Sequence, residues 1–359
     1  MKNHQLSWWI FIFYYFPLRI FLIFVSSPPD AGASDVFARR LVSSAVLLLY
    51  NIAPTFRRLC EFYGGAGDFM LYGILMSVLT CLCWGSTSVM MRGIHRLGAL
   101  EVSLLRAAGG LVCGSALFFA FHGGAARISA LEAVIFVVMV LCNNVIGDVF
   151  LLFAVQRLGV ARGAAIASSY PVVVSIASHF IFGSPFTGAT AAGTLTAFAG
   201  TALLCRRDGG CTVPVTWSGV AYAVAASLFW AAGLLFNKAL IADGLSPLFV
   251  TFGRGVTFFT IALALWLWEK ERRSPAAWRI FLTRETGFAF AAGFCSLGFG
   301  AFFFSSALAY VQPAVATTIG ASNPIAATIA AMFIYKDKPT ARQWAGIFLA
   351  VLGSALVTL

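Results

Sequence analysis

The segment GILMSVLTCLCWGSTSVMMR, residues 73–92, recurs in outline as GVAYAVAASLFWAAGLLFNK, residues 219–238. In each segment a glycine is followed eleven residues later by a tryptophan and, eight residues further on, by a basic residue. These positions are Gly73, Trp84 and Arg92 in the first segment and Gly219, Trp230 and Lys238 in the second. Two largely apolar segments with one shared spacing indicate an internal duplication of a membrane unit.

A second matched set of residues closes each half of the chain. A proline is followed after 22 residues by a glycine and after 7 more by another glycine, and this spacing occurs twice. The residues are Pro171, Gly193 and Gly200, and then Pro324, Gly346 and Gly353. We therefore divide the chain into a first repeat, residues 70–205, a linker, residues 206–216, and a second repeat, residues 217–359.

The composition excludes a soluble protein. Hydrophobic residues make up 60% of the 359 residues, charged residues only 10%, and the mean hydropathy is +0.90. A soluble domain with a polar surface does not reach these values. The apolar runs approach the length of a spanning helix and are not the short alternating segments of a barrel. The sequence predicts an all-α integral membrane protein that crosses the cell membrane, inner or plasma, several times.

The net charge of +11 would suggest nucleic-acid binding in a soluble protein. Here the Lys and Arg residues lie mostly in short connections between apolar runs, where basic residues set the topology of a membrane protein. The predicted partners are therefore the lipid bilayer and a small-molecule substrate, and not a nucleic acid. The sequence leaves the oligomeric state open.

Glycine, proline and charged residues divide the core of the chain into ten candidate spans, five in each half. The spans are residues 72–92, 99–121, 131–154, 161–182 and 188–205, and then 217–241, 247–268, 287–309, 313–335 and 342–358. Because five is an odd number, matching helices of the two halves must cross the membrane in opposite senses. The predicted fold is a ten-helix bundle of two inverted five-helix repeats.

The first 69 residues have no counterpart in either repeat. An aromatic-rich apolar run, residues 8–25, contains Pro17 and Arg19, and a shorter run follows at residues 41–52. Residues 1–69 fit an extra N-terminal hydrophobic helix, which would be an additional span or an uncleaved signal anchor. They fit equally an appendage or a misassigned start, because Met70 directly precedes the repeat core.

Basic residues do not decide the orientation in the membrane. The connections after the odd-numbered spans carry most of the loop charge, which favours a cytoplasmic position for those loops. Arg39, Arg40, Arg57 and Arg58 in the N-terminal extension favour the opposite orientation. Both orientations stay open.

Residues 72–358 resemble the EamA-type permeases of the drug/metabolite transporter superfamily. The resemblance depends on the duplicated Gly-Trp-basic segment, on the two Pro-Gly-Gly endings, and on Arg106 with its counterpart Arg254 after Pro247. It implies a ten-helix inverted-repeat carrier that moves small metabolites, often amino acids or related compounds, by alternating access. The family usually has a glutamate near the end of the fourth helix of each repeat, where this chain has Ser184 and Asp337.

Asp148 is the only acid well inside a predicted span of the core. An ionisable group at the bilayer centre costs about 2.5 to 3.5 kcal/mol on insertion scales unless it faces a polar cavity. Asn144 lies four residues earlier and therefore on the same helical face. The pair could coordinate a polar substrate or hold a transported proton. The structural alternative is an aspartate that pairs with Arg157 or Arg162 near the helix end.

Two arginines, Arg106 and Arg254, occupy equivalent places early in the second helix of each half. A fixed guanidinium can clamp a carboxylate or phosphate with two hydrogen bonds. The alternative is that both side chains extend to the membrane surface and anchor their helices there.

Aromatic and proline residues complete the candidate cavity. Trp84 and Trp230 lie mid-helix beside small residues, so they could line a cavity or simply pack closely. Tyr170 and Asn323 each precede a proline that removes a backbone hydrogen bond within a span. Those prolines, Pro171 and Pro324, are candidates for hinges, and an architectural kink is the alternative.

The sequence favours a secondary transporter (permease or exporter) of a small polar or amphipathic metabolite, with its cavity between the halves and with proton coupling through Asp148 as one option. No nucleotide-binding loop is present, so gradients would supply the energy. A membrane-embedded enzyme is the first alternative, but the sequence offers neither paired intramembrane acids nor a His-Glu-x-x-His motif. A non-transporting membrane partner protein is the second. We predict no catalytic residue, no metal and no cofactor.

Overall fold

The computed structural model describes residues 66–121, 128–205, 216–270, 283–334 and 340–359. Within these ranges the chain contains helices and no β-strand. The prediction of an all-helical membrane protein is confirmed for them. Residues 1–65 of the N-terminal extension and residues 206–215 of the linker lie outside the described residues.

Six helices form the first half. They are α1 (Ala66–Met91), α2 (Ala99–Ala120), α3 (Ala130–Val140, Leu141–Ile146 and Gly147–Leu158), α4 (Val160–Ala167), α5 (Tyr170–Phe182) and α6 (Gly188–Cys205). The second half repeats this order. Its helices are α7 (Trp217–Ala242), α8 (Pro247–Lys270), α9 (Arg284–Gly293, Phe294–Gly300 and Ala301–Tyr310), α10 (Pro313–Ala321), α11 (Asn323–Ile334) and α12 (Ala341–Leu356).

Eight helical segments of the described residues are long and apolar enough to cross a membrane. They are α1, α2, α3, α7, α8 and α9, together with the α4–α5 and α10–α11 pairs, each pair counted as one segment. The remaining helices, α6 and α12, contain 18 and 16 residues and are not in that set. The structure thus supports eight spans, and the ten-helix count stays a prediction.

The third helix of each half contains a π-helical turn. The turns are Leu141–Ile146 in α3 and Phe294–Gly300 in α9. A π-helical turn shifts the hydrogen-bond register within a helix, and such turns are frequent at functional sites. Because the turns occupy matching places in the two halves, the duplication extends to an irregular feature of the backbone.

The fourth span of each half is two helices and not one kinked helix. Ser168 and Ser169 separate α4 from α5, and Ser322 separates α10 from α11. Pro171 and Pro324 then lie in the first turn of α5 and α11, where a proline needs no hydrogen-bond donor. The prolines therefore begin a new helical segment, and their role as hinges or kinks stays a prediction.

The first helix of each half packs against the end of the third helix of the other half. A Cβ at Gly73 would lie 2.5 Å from Val311 Cγ1, just beyond the end of α9. A Cβ at Gly219 would lie 2.7 Å from Leu158 Cγ at the end of α3. Glycines permit this close approach of two spans. The two glycines at the start of the duplicated segments, Gly73 and Gly219, thus allow the halves to pack closely against each other.

The last helices of the two halves, α6 and α12, cross in antiparallel directions. A side chain at Gly200 would collide with the backbone near Gly346 and Ala350. A side chain at Gly193, one to two turns earlier in α6, would collide near Gly353 and Val357, one to two turns later in α12. Antiparallel packing of matching helices is the arrangement that inverted repeats require.

Candidate functional site

Asp148 lies on α3 directly after its π-helical turn and is contacted by side chains from two other helices. Trp230 Nε1 on α7 donates a hydrogen bond to Asp148 Oδ1 at 3.2 Å. Arg106 Nη1 on α2 lies 3.9 Å from Asp148 Oδ2. The aspartate side chain keeps 40% of its surface accessible despite these contacts. The carboxylate therefore lies where α2, α3 and α7 meet.

The structural alternative for Asp148 is a pair with Arg157 or Arg162, and of these two Arg157 makes other contacts. Arg157 lies with its guanidinium carbon 4.7 Å from the centre of the Tyr222 ring. Its Nη1 approaches the carbonyl oxygen of Phe153 at 3.5 Å. The partner of Asp148 is instead Arg106, 42 positions earlier in the chain.

Gly147 sets the position of the Trp230 indole. A Cβ at Gly147 would lie 2.5 Å from Trp230 Cδ1 and 2.7 Å from Trp230 Nε1. The indole therefore packs directly on the α3 backbone, which brings its N–H to the next residue, Asp148. On its other side, the Tyr170 ring meets Trp230 edge-on with 6.0 Å between ring centres.

The Arg254 side chain is buried inside the bundle. Its Nη2 donates a hydrogen bond to Asn144 Oδ1 at 3.1 Å. Both side chains are buried, with 6% of Arg254 and 7% of Asn144 exposed. This burial does not fit the alternative in which the Arg254 side chain extends to the membrane surface and anchors its helix there. On α3, Asn144 therefore contacts α8, and Asp148, four residues later, contacts α2 and α7.

Arg106 has few partners for a largely enclosed guanidinium. The 3.9 Å separation from Asp148 exceeds hydrogen-bond distance. Its Nε is buried and has no hydrogen-bond partner among the described residues. An unsatisfied buried donor typically costs about 1 to 3 kcal/mol. The backbone at Arg106 packs closely on α9, because a side chain at Gly293 would collide with it.

We call Arg106, Asn144, Asp148, Trp230 and Arg254 the polar cluster. Its members come from α2 and α3 of the first half and from α7 and α8 of the second. Asp148 interacts electrostatically with both arginines. The cluster therefore combines two cations with one anion at the interface between the halves.

Trp84 and Asn323 lie apart from the polar cluster. The Trp84 ring packs on Phe304 with 5.3 Å between ring centres, and a Cβ at Gly300 would lie 2.9 Å from Trp84 Cδ1. Asn323 begins α11, where its carbonyl oxygen faces Gly85 of α1. Neither side chain hydrogen-bonds to the cluster within the described part of the chain. Trp84 and Trp230 do border one common hydrophobic core.

Sequence reasoning missed two features of this region. One is the glycine pair, Gly147 and Gly300, each of which receives a tryptophan of the opposite half. These glycines are 153 residues apart, as are Pro171 and Pro324, so the repeat spacing could have identified the pair.

The second missed feature is a set of hydroxyl groups buried between α5, α6 and α10. Ser175 lies 3.3 Å from Thr194, which lies 3.4 Å from Thr318, and isolated hydroxyls in apolar helices give no comparable signal.

Comparisons with known proteins agree with this architecture. A solved structure described as "Crystal structure of protein" superposes with a TM-score of 0.67 at 16% sequence identity, covering 79% of this chain and 96% of that one. At that identity the likeness concerns the fold alone. A search of curated proteins finds no match. The model of the EamA-like transporter family matches residues 71–206 and again residues 217–359. Since the two matches together span most of the sequence, the chain belongs to the EamA-like transporter family.

Proposed function

We propose that this chain is a secondary transporter, a permease or exporter, of small metabolites such as amino acids or related compounds. Its two repeats, residues 70–205 and 217–359, would form ten crossings of the cell membrane around a cavity at their interface. The observation that carries the proposal is the polar cluster. Three ionisable side chains within lipid-crossing helices are costly, and such groups usually mark a substrate or ion pathway.

Alternating access has support in an asymmetry between the ends of the two third helices. Near the start of α9, Glu285 Oε2 accepts hydrogen bonds from the backbone N–H groups of His95 at 3.1 Å and Arg96 at 2.8 Å. We call this contact between the halves the Glu285 latch. The equivalent acid of α3, Glu132, instead accepts a bond from the backbone N–H of Ser129 in its own helix cap, at 2.6 Å.

In an inverted pair of repeats, equivalent ends of matching helices lie on opposite membrane faces. A latch formed by Glu285 and not by Glu132 therefore favours a state in which one face is held closed more tightly than the other. The transport cycle would exchange the two arrangements.

The surroundings of Asp148 support the proposal of proton coupling through this residue. It is the acid of the polar cluster, it has an accessible carboxylate, and its only ion pair within the described residues is a long one. A carboxylate that can be reached from the cavity and is loosely paired is suited to bind and release a proton during the cycle.

The test is uptake and efflux of a pooled, labelled metabolite panel in proteoliposomes that contain the full chain, with and without an imposed pH gradient. Saturable movement above protein-free vesicles supports the transporter, and acceleration by the gradient supports proton coupling. If the protein is monodisperse and unfolds cooperatively on heating but moves no metabolite, the result would contradict the proposal and favour a non-transporting partner protein.

A matched pair of variants isolates the role of the acid. Asp148→Asn should keep the fold and lose the response of uptake to the pH gradient. Asp243→Asn makes the same change at an exposed position after α7 and should behave like the wild type. A full response in Asp148→Asn would show that protons are not coupled through this carboxylate.

A further inference from the structure

The charges of the polar cluster do not balance. Among the described residues, a single carboxylate, that of Asp148, counters Arg106 and Arg254. Lys and Arg are rarely left unpaired inside a protein, because desolvated charge is costly unless a partner compensates it. One negative charge is missing.

Of the two arginines, Arg106 is the one with unused hydrogen-bond donors. Arg254 uses its Nη2 on Asn144, whereas Arg106 makes no hydrogen bond within the described residues. A guanidinium presents five donors in a planar fork that fits a carboxylate with two parallel bonds. The carboxylate of Asp148 does not occupy that fork, since it stands 3.9 Å away and is held by Trp230.

From this charge balance we infer that the cargo is a small organic monoanion, whose carboxylate binds Arg106 and neutralises the polar cluster. The inference rests on the proposed function and narrows its substrate class. Asp148 disfavours a dianion, because two further negative charges would leave the cluster negative. The rings of Trp230 and Tyr170 beside the carboxylate suit a ligand with an apolar or aromatic body.

The test uses four probes that share a phenyl ring and differ in charge: phenylacetate, neutral phenylacetamide, cationic 2-phenylethylamine and dianionic phenylmalonate. Binding to the purified full chain is measured by tryptophan fluorescence and by the shift of the thermal unfolding midpoint at low ionic strength. Phenylacetate should bind about tenfold or more tightly than phenylacetamide, as a charge-assisted bidentate contact predicts. The other two probes should bind more weakly than phenylacetate.

Variants connect the preference to the cluster. Arg106→Gln should bind phenylacetate no better than phenylacetamide. Arg157→Gln removes the same charge outside the cluster and should keep the preference. If Arg106→Gln does not fold, Arg106→Lys replaces it and should retain the preference with weaker binding, because an ammonium lacks the planar fork.

Asp148→Asn gives a second result that a merely structural role would not produce. With two arginines and no acid, the cluster should now favour phenylmalonate over phenylacetate. Equal binding of phenylacetamide, tighter binding of 2-phenylethylamine, or an intact anion preference in Arg106→Gln would overturn the inference. So would binding of none of the probes. The proposed transporter is judged separately, by uptake of the metabolite pool, so failure of one is distinguishable from failure of the other.

Discussion

Substitution of Gly147 by alanine should displace the indole that holds the Asp148 carboxylate and leave the carboxylate itself unchanged. The new Cβ would stand 2.5 Å from Trp230 Cδ1, 2.7 Å from Nε1 and 2.8 Å from the Cys142 carbonyl oxygen. Carbon atoms in contact prefer about 3.5 to 4.0 Å, so the indole must move by about 1 Å. Alanine adds no charge and deletes no polar group, and its whole effect passes through this displacement.

The displacement is enough to break the hydrogen bond between Trp230 and Asp148. At 3.2 Å that bond is already at the long end of the normal range, and an added 1 Å, roughly, removes it. Overpacking typically costs about 1 to 3 kcal/mol of stability. Hydrogen bonds to charged groups contribute about 1.5 to 3 kcal/mol, so uptake that depends on a fixed carboxylate should fall about tenfold or more. The response to a pH gradient should weaken as well.

The duplication supplies the control. Gly300→Ala would place a Cβ 2.9 Å from Trp84 Cδ1 and 3.0 Å from Trp84 Nε1, a similar collision with a tryptophan. The residue after Gly300 is Ala301, so no acid is displaced there. This variant should lose a similar amount of stability and keep the response of uptake to the pH gradient.

The assay combines thermal unfolding in detergent with initial rates of uptake in proteoliposomes, using the substrate that the metabolite pool identifies. The reasoning would be refuted by a folded Gly147→Ala protein with the wild-type rate and pH response. It would be refuted equally if Gly300→Ala lost the pH response to the same extent.

Three further substitutions test other contacts. Asn144→Ala leaves a buried guanidinium without its acceptor and should lower the free energy of unfolding by about 1 to 3 kcal/mol, measured by thermal or denaturant unfolding. Gly353→Leu should prevent the close crossing of α6 and α12 and abolish monodisperse protein in size-exclusion chromatography, whereas Gly188→Leu, with open space around it, should not. Glu285→Gln weakens the latch, so the amides of residues 95–96 should exchange hydrogen faster by mass spectrometry, and unchanged exchange would contradict the latch.

The sequence predicted the duplicated frame because its signals are local and sterically demanding. Glycines at Gly73 and Gly219 meet the opposite half in equivalent ways, and the Gly193 and Gly200 pair meets its counterparts in α12. The π-helical turns and the division of the fourth span were not predicted. Both depend on how hydrogen-bond register adapts to packing between helices, and a proline marks only the neighbourhood of such a break.

The candidate site was predictable residue by residue but not contact by contact. Asp148 was prominent because an acid within a span is costly. Its partner could not be deduced, since the sequence offered Arg157 and Arg162 nearby on the chain, whereas Arg106 lies on another helix. Symmetry also placed Trp84 and Asn323 on an equal footing with the residues of the polar cluster, and nothing in the spacing of the repeats distinguishes them.

The difference between the halves lies in the third helices and not in the arginines. The repeat spacing of 153 residues places Leu297 opposite Asn144 and Ala301 opposite Asp148. Arg254 has Asn144 as its acceptor, but the α2 segment that carries Arg106 packs through Gly110 on the apolar Leu297. Arg106 therefore lacks the equivalent acceptor, and among the residues that the structure describes its one ion-pair partner is Asp148, beyond hydrogen-bond distance.

This divergence gives the two third helices different roles. Most of the α9 span is buried within the bundle, whereas only a third of the α3 span is, so α9 is the more enclosed of the two third helices. An acid at Ala301 would be fully enclosed, because that residue is 0% exposed, while the acid at Asp148 remains accessible. The two halves therefore contribute unequally to the site. Both halves have the arginine, Arg106 or Arg254, but the polar residues that contact these arginines, Asn144 and Asp148, lie on α3 and have no polar counterpart on α9. Substitutions at the polar positions of α3 should accordingly change which ligand binds, whereas substitutions at the equivalent positions of α9 should lower the stability of the fold.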